Sequence, residues 1–356
     1  MVEKGDDPKE GSTLAKGLRR VPLVAMRRGQ LGMSQGSLAK RIGISRQSLS
    51  AIETGASSPS VEVALCIARS LAMAVEDLFP LGDSLPEALF DLGRFRNSRV
   101  AVGEVGSRLV ARRLSSRRDG GPAGASDGRY IDGNFVWNSP RSVSVFLSGC
   151  DPSLGVLADW LNIKDPTRRY RWITAQNSTA EAELAAGVTH FALHHGVVGQ
   201  VATDTRFSAI ELCDWTLAIA VRDKNPLGIS SLADAIDKGA LWAARPEGSG
   251  TSETLELELA GLKLARESIN RTPNTFSDHY GAVDYVAVGD ADYALAVECI
   301  ARDGGLDVVD GITQRSHLYW DEDNVPAEVV SVVINEAKSR EFNRELEAMS
   351  GYQPIG

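Results

Sequence analysis

Between residues 34 and 55, apolar side chains recur at Leu38, Ile42, Ile44, Leu49 and Ile52, with polar residues between them. That spacing predicts short helices with one buried face. Ser34 is placed to cap a helix through Gln35, Leu38, Ala39 and Ile42, and Gly43 supplies a left-handed turn. Ser45 then caps a second helix with Leu49 and Ile52 inward, and Gly55 ends it. Ala39 is small where two crossing helices must approach. The pattern predicts a helix-turn-helix. A preceding helix is expected over residues 18–31. Another is expected over 61–73, opened by Pro59 and capped by Ser60, and Val75-EDLFP closes the unit.

The period changes after residue 81. Ser98-RVAVGEVGSRLVARRLSS alternates apolar and polar positions around a turn at Glu104–Ser107, which predicts a β-hairpin. An open Gly/Pro/Ser-rich loop follows Arg117, and Tyr130-IDGNFVW reads as a further strand. The excess of arginine in this stretch reads as a solvated face, with a second DNA contact as the alternative. From residue 141 the pattern is strand, loop, helix, repeated. Strands are expected at Val143-SVFLSG, Tyr170-RWITA, Thr189-HFALHHG, Trp215-TLAIAV, Leu241-WAAR, Ala291-DYALA and Leu306-DVV. Helices are expected after Cys150, Ser178, Ser230, Ser249, Pro326 and Arg340. Such alternation implies a parallel or mixed sheet with helices on both faces.

Charge sharpens this division. The chain of 356 residues has a net charge of −9, but residues 1–140 carry 20 bases and 15 acids, whereas 141–356 carry 18 and 32. Residues 17–58 hold Arg19, Arg20, Arg27, Arg28, Lys40, Arg41 and Arg46 against the single acid Glu53. A basic front on an acidic protein points to a nucleic acid partner for the front alone. Hydrophobic content of 43% supports a buried core, and no apolar run reaches the ~18 residues of a membrane span. Residues 1–17 lack an apolar leader core and read as a disordered tail. Four widely spaced cysteines without CxxC spacing fit reduced thiols in a cytoplasmic protein, with no metal site.

The stretch SQGSLAKRIGISRQSLSAIETG-ASSPSVEVALCIARSLAMAVEDLF resembles the lambda-repressor-like, XRE-type DNA-binding domain through all five helices. The resemblance implies Gln35 contacting backbone or base, and Arg46 and Gln47 reading bases. Arg46, Gln47 and Ser50 also point away from the apolar face, in the first turns of the second helix, where base edges are read. Ala51 stands where some relatives place a long polar reader, which limits it to a thymine methyl. With Ser45 and Ser48 these form the candidate base-side set. Arg27, Arg28 and Lys40 are the candidates for phosphates.

In the back half, three strand ends run into small polar residues that open a helix: Ser148, Gly149 and Cys150; Asn177, Ser178 and Thr179; Gly248, Ser249, Gly250 and Thr251. Free N–H groups and the helix dipole suit an anion there. FLSGCDPSLGVLADWL, DKNPLGISSLADAIDKG and ARPEGSGTSETL resemble the type II periplasmic-binding-protein fold. The likeness is to cytoplasmic versions fused to DNA-binding domains and to molybdenum-cofactor proteins. It implies a two-lobed effector domain for an oxyanion such as molybdate or tungstate; a small organic metabolite is the alternative. Ser252 departs from relatives that carry a basic residue after GSGT. His194 joins the candidate set, and Arg245 is either an anion ligand or a surface residue. Asp151 reads as a helix cap, Trp215 and Trp242 as core, and Cys150 as an unreactive thiol. Adjacent His194 and His195 point to opposite faces and form no metal pair.

The expected architecture is therefore multidomain. A tail (1–17) precedes an all-α five-helix DNA-binding domain (18–81), a short β-rich connector (82–140) and an α/β two-lobed periplasmic-binding-protein-like domain (141–356). The expected function is a one-component, sequence-specific regulator, a homodimer on a double-stranded DNA operator, with no catalytic residue and no cofactor beyond its effector. One competing expectation is an enzyme acting on a small carboxylate with a DNA-binding appendage, which lacks a catalytic constellation. Another is a constitutive DNA-binding protein whose back half only dimerises.

Overall fold

In a computed structural model of the chain, residues 24–31, 33–54, 56–73, 75–79, 87–88, 97–114, 124–131, 134–138, 144–199 and 206–355 are described. They fall into two compact units. One gathers described residues of 1–85, 91–99 and 128–141; the other gathers those of 86–90, 100–127 and 142–356. The expected connector is thus shared between the units. The expected tail, residues 18–23 of the first helix, and Gly55 lie outside the described residues.

The first unit is built on α1 (Val24–Gln30), α2 (Gln35–Ile42), α3 (Arg46–Glu53), α4 (Val61–Leu71) and α5 (Val75–Leu78). Ser34 caps α2 by accepting the Ser37 N–H at 3.1 Å, and Gly43 closes it with φ 74°, a left-handed value that favours glycine. Ser60 caps α4 through the Val63 N–H at 3.3 Å. Leu38, Leu49, Ile52, Ile67, Leu71 and Leu78 form the core, with Ile42 and Ile44 packed against it.

In the second unit, β1 (Glu87–Ala88) runs parallel to one strand of the hairpin of β2 (Asn97–Val105) and β3 (Arg108–Arg113). The single strand expected near Tyr130 is instead a second hairpin, in the first unit, of β4 (Gly128–Ile131) and β5 (Asn134–Trp137). Its Trp137 packs on the helical core. The expectation that the connector arginines are solvated fails at Arg112, which is only 5% exposed and lies over the Phe146 ring.

The α/β part of the second unit follows in chain order: β6 (Ser144–Ser148), α6 (Ser153–Lys164), β7 (Arg169–Ile173), α7 (Asn177–Ala185), β8 (Phe191–Val197), β9 (Ser208–Val221), α8 (Leu232–Asp237), α9 (Gly250–Leu262), α10 (His279–Ala287), β10 (Tyr293–Val297), α11 (Glu298–Asp303), β11 (Asp307–Trp320), α12 (Ala327–Ala337), α13 (Arg340–Ala348) and β12 (Tyr352–Pro354). The sheet order is β10-β9-β11-β8-β6-β7, with β12 also on β9. β6 is parallel to β7 and β8, while β9, β10, β11 and β12 join antiparallel.

Two 14-residue strands, β9 and β11, tie the two lobes together. Leu217–Val221 of β9 pairs with β10 at one end, and Gln314–Trp320 of β11 pairs with β8 at the other. β9 begins with alternating partly buried and exposed side chains over residues 208–211, and its last stretch, LAIAV, is buried throughout. That change marks its passage from a partly open position to one covered on both faces.

Further elements of the α/β part differ from the sequence reading. The strand at Leu306 runs on to Trp320. Leu241-WAAR forms only isolated bridges at Trp242, to Arg271 and Tyr293. α10 and α11 were not anticipated; α10 carries Gly281 and two valines, which weaken the local helix signal.

Candidate functional site

The first candidate surface is the start of α3. Ser45 caps it, accepting the Ser48 N–H at 2.9 Å, and the two serine hydroxyls lie 2.8 Å apart. The cap fixes the first turn, so Arg46, Gln47 and Ser48 are exposed while Leu49 and Ile52 turn inward. Ser50 and Ala51 are partly buried on the flank.

Gln35 is more constrained than its expected role suggests. Its Nε2 donates to Glu53 at 2.7 Å, and its Oε1 accepts from Arg46 Nε at 3.5 Å. Glu53, the acid counted in the basic segment, is buried. It receives Arg28 through Nε at 2.6 Å and through the second guanidinium arm at 3.1 Å. This pairing raises the pKa of Arg28, and a third bond holds it to the Met33 carbonyl at 2.7 Å. Arg28 is therefore turned into the fold. Arg27 donates to the Leu71 carbonyl at 3.3 Å, and Lys40 is exposed at the end of α2.

The second candidate is the cleft of the α/β part, where the three helix-opening loops meet. Ser178 Oγ donates to the Gly248 carbonyl at 3.2 Å, so the starts of α7 and α9 touch. Cys150 Sγ lies 3.1 Å from His195 Nε2. Asn177 donates to the His195 carbonyl at 2.8 Å. Gly250 is pressed against both His195 and Asn177. α7 has no side-chain cap, which leaves first-turn N–H groups for another acceptor, whereas the first-turn N–H groups of α6 already reach Asp151 and Pro152. Ser249 does cap α9, accepting the Ser252 N–H and donating to the Pro246 carbonyl at 2.8 Å. Its hydroxyl is committed to the fold. Thr251 is buried in the same turn; Thr179 is exposed. Ser252 Oγ is committed too, donating to the Pro246 carbonyl at 2.9 Å.

Arg245 is 3% exposed, which removes the surface-residue alternative. It donates to the Phe276 carbonyl at 2.7 Å, but its Nε has no hydrogen-bond partner among the described residues. The same holds for Gln314 Nε2 and His279 Nδ1, both buried. Burial lowers the pKa of Arg245, His195 and His279, with the nearby guanidinium opposing protonation of both imidazoles. Burial and the charge of Asp151 push the Cys150 thiol up to about 12. Thiol and imidazole are thus both held neutral, the opposite of an activated thiolate–imidazolium pair.

Sequence reasoning missed part of this cluster. His195 belongs to it, and His194 does not: alternation along β8 turns His194 out to Glu181. Gln314 Oε1 accepts from Thr254 Oγ1 and faces His195 Nδ1, each at 3.3 Å. Asp151 is a hub rather than a simple cap. It accepts the Ser153 N–H at 2.9 Å, the Tyr352 hydroxyl at 2.6 Å and the Ser316 hydroxyl. Gln314 and Ser316, two apart and so on one face of β11, were the available signal. Ser148 is fully buried and turns away from this cluster, donating to Glu183 at 2.5 Å.

Among the described residues no helix is long and apolar enough to cross a membrane, and all four cysteines are free. Residues 24–78 match the Helix-turn-helix family, and residues 162–338 match the PBP superfamily domain. An uncharacterized HTH-type transcriptional regulator of Methanothermobacter thermautotrophicus is 42% identical over 62 residues, 17% of this chain and 90% of that protein. One from Bacillus subtilis is 40% identical over 52 residues, 15% of this chain and 79% of that protein. Among solved structures, a putative phosphate ABC transporter substrate-binding protein from Clostridium perfringens aligns with a TM-score of 0.47 at 15% identity, covering 60% of this chain and all of that one. The effector-binding domain of QuiR aligns with a TM-score of 0.44 at 11% identity, covering 55% and 96%.

Proposed function

The chain belongs to the HTH-type transcriptional regulators, and from that premise we propose that it is a one-component regulator whose PBP superfamily domain binds a small anion and thereby shifts its affinity for an operator. The single observation that carries the effector assignment is the gathering of three helix-opening loops beside Arg245, whose buried Nε lacks a partner among the described residues. A buried donor without an acceptor costs about 1–3 kcal/mol, which an arriving anion recovers. The uncapped first turn of α7 adds N–H donors. One guanidinium and several neutral donors suit an oxyanion such as molybdate or tungstate. Acidic surroundings disfavour a poorly fitting anion.

A specific observation favours an organic effector as the second reading. His279 hydrogen-bonds the Leu295 carbonyl and is held neutral, so its partnerless Nδ1 is an acceptor. A ligand with its own O–H or N–H would satisfy it. Titration calorimetry of the full chain with molybdate, tungstate, phosphate and small hydroxy acids separates the two. Replacing Arg245 with Gln should weaken the successful ligand tenfold or more, as expected for a lost bond to a charged group. Unchanged affinity in that variant places the ligand elsewhere, and no heat with any anion removes the assignment.

On the DNA side, Arg46 and Gln47 are proposed to read bases, with Ser45, Ser48, Ser50 and Ala51 around them and Lys40 on phosphate. Operators would be twofold and the protein a cytoplasmic homodimer on them. Effector and operator affinities are then linked reciprocally. Operators selected from a random duplex pool provide the assay. Arg46→Ala should cost about 1–3 kcal/mol and relax preference at one position. A monomer on a full operator by light scattering would remove the dimer.

A further inference from the structure

α7 has one end in the cleft and the other in the grip of the β2–β3 hairpin. At its start, Asn177 exchanges bonds with the His195 backbone, donating to its carbonyl at 2.8 Å and accepting its N–H at 3.4 Å. Ser178 reaches Gly248. At its far end, Arg108 of β3 donates to the Ala186 carbonyl at 2.6 Å. Arg112 of β3 donates to the Val188 carbonyl at 3.3 Å and pairs with Glu183 at 2.7 Å. Glu183 also accepts the Ser148 hydroxyl at 2.5 Å, so the loop at the end of β6 is fastened to the same carboxylate. Two cations at a helix C-terminus complement the helix dipole as well as its free carbonyls. The helix has 9 residues and is about 13 Å long, short enough to move as a rigid piece.

We infer that α7 is the element that transmits effector occupancy to the connector: a ligand seated on its first turn shifts the helix, and Arg108, Arg112 and Glu183 carry that shift into β3. The hairpin is one route by which the chain carries a signal between the units, because β2 begins within the 91–99 segment of the helical unit and ends within the α/β unit. Burial of Arg112 makes the link stiff. Its guanidinium is enclosed by Phe146, Glu183 and Val188, so it follows α7 rather than relaxing into water. Tight packing passes on small displacements of this kind. The inference rests on the cleft assignment above, but its test needs no ligand.

The experiment displaces the cleft end and reads the connector end by hydrogen exchange on the full chain. Gly250→Ala forces the first turn of α9 against Asn177, and Ser178→Ala, a milder change at an exposed site, removes the bond to Gly248. Each should change amide exchange in Arg108–Arg113 by about threefold or more while α12 and α13 stay at wild-type rates. The pair Arg108→Ala and Glu183→Gln cuts the grip. On that background the cleft variants should no longer alter β3 beyond what the cut does by itself. Wild-type exchange in β3 for both cleft variants overturns the inference, and so does an equal effect on the cut background. Failure of every anion in calorimetry would instead count against the effector assignment.

Discussion

A Cβ on Gly250 would come within 2.4 Å of His195 Cε1 and 2.7 Å of Nε2, so the first turn of α9 lies directly on the imidazole at the end of β8. His195 has little room to retreat. It is buried, with Nε2 facing Cys150 and Nδ1 facing Gln314. This contact closes the two sides of the cleft on each other.

Gly250→Ala should therefore destabilise the α/β unit by about 1–3 kcal/mol, the range for overpacking a full site. Urea unfolding measures it. An unchanged midpoint would mean that α9 is free to lift from β8.

Stability should fall on mild acidification because of His190. Burial lowers its pKa from the ordinary 6.5 to about 4. Its Nδ1 accepts the Phe146 N–H at 3.0 Å, which leaves Nε2–H to donate to the Glu104 carbonyl at 2.9 Å. The folded form stays neutral while the unfolded chain takes up a proton below pH 6.5. The contribution is thus complete above 6.5 and is lost as pH falls toward 4, on the order of 3 kcal/mol at most. His195 and His279 shift in the same direction and add to the slope. His190→Asn keeps an acceptor for Phe146 and should flatten the loss between pH 7 and 4.5 in urea midpoints. An equal slope in that variant would exclude His190 as its source.

Tyr352→Phe tests the Asp151 hub. The hydroxyl donates to a buried carboxylate at 2.6 Å, and phenylalanine fills the same space without it. The loss should be about 1–3 kcal/mol, seen as a fall of several degrees in Tm. A wild-type Tm would show that water replaces the phenol.

Arg28 and Lys40 should separate in DNA binding. Arg28 is paired with buried Glu53, so Arg28→Ala should cost about 1.5–3 kcal/mol of folding stability and leave the salt dependence of operator affinity unchanged. Lys40→Ala should leave stability unchanged and reduce that salt slope by about one. A reduced slope in Arg28→Ala would put its guanidinium on the phosphate backbone.

The sequence by itself determined the local elements and the partition of the chain. Serines at 34, 45 and 60 act as caps, Gly43 as the left-handed stop, and Leu38, Leu49 and Ile52 as core, because capping and helical periodicity are short-range effects written in neighbouring residues. The helix-opening loops were legible for the same reason. Only the tertiary structure decided what those residues do together. Asp151 and Tyr352 are 201 positions apart, His195 and Gln314 are 119, and Arg112 and Val188 are 76. Their pairing follows from the sheet order β10-β9-β11-β8-β6-β7, which no local pattern encodes. The same limit applies to Glu53 and Arg112. Each looks like a surface charge in sequence, and each is buried because a distant partner of opposite charge is brought to meet it. Whether a charge faces water or a partner is settled by long-range packing, which outweighs the solvation preference of the isolated side chain only where the pairing is complete.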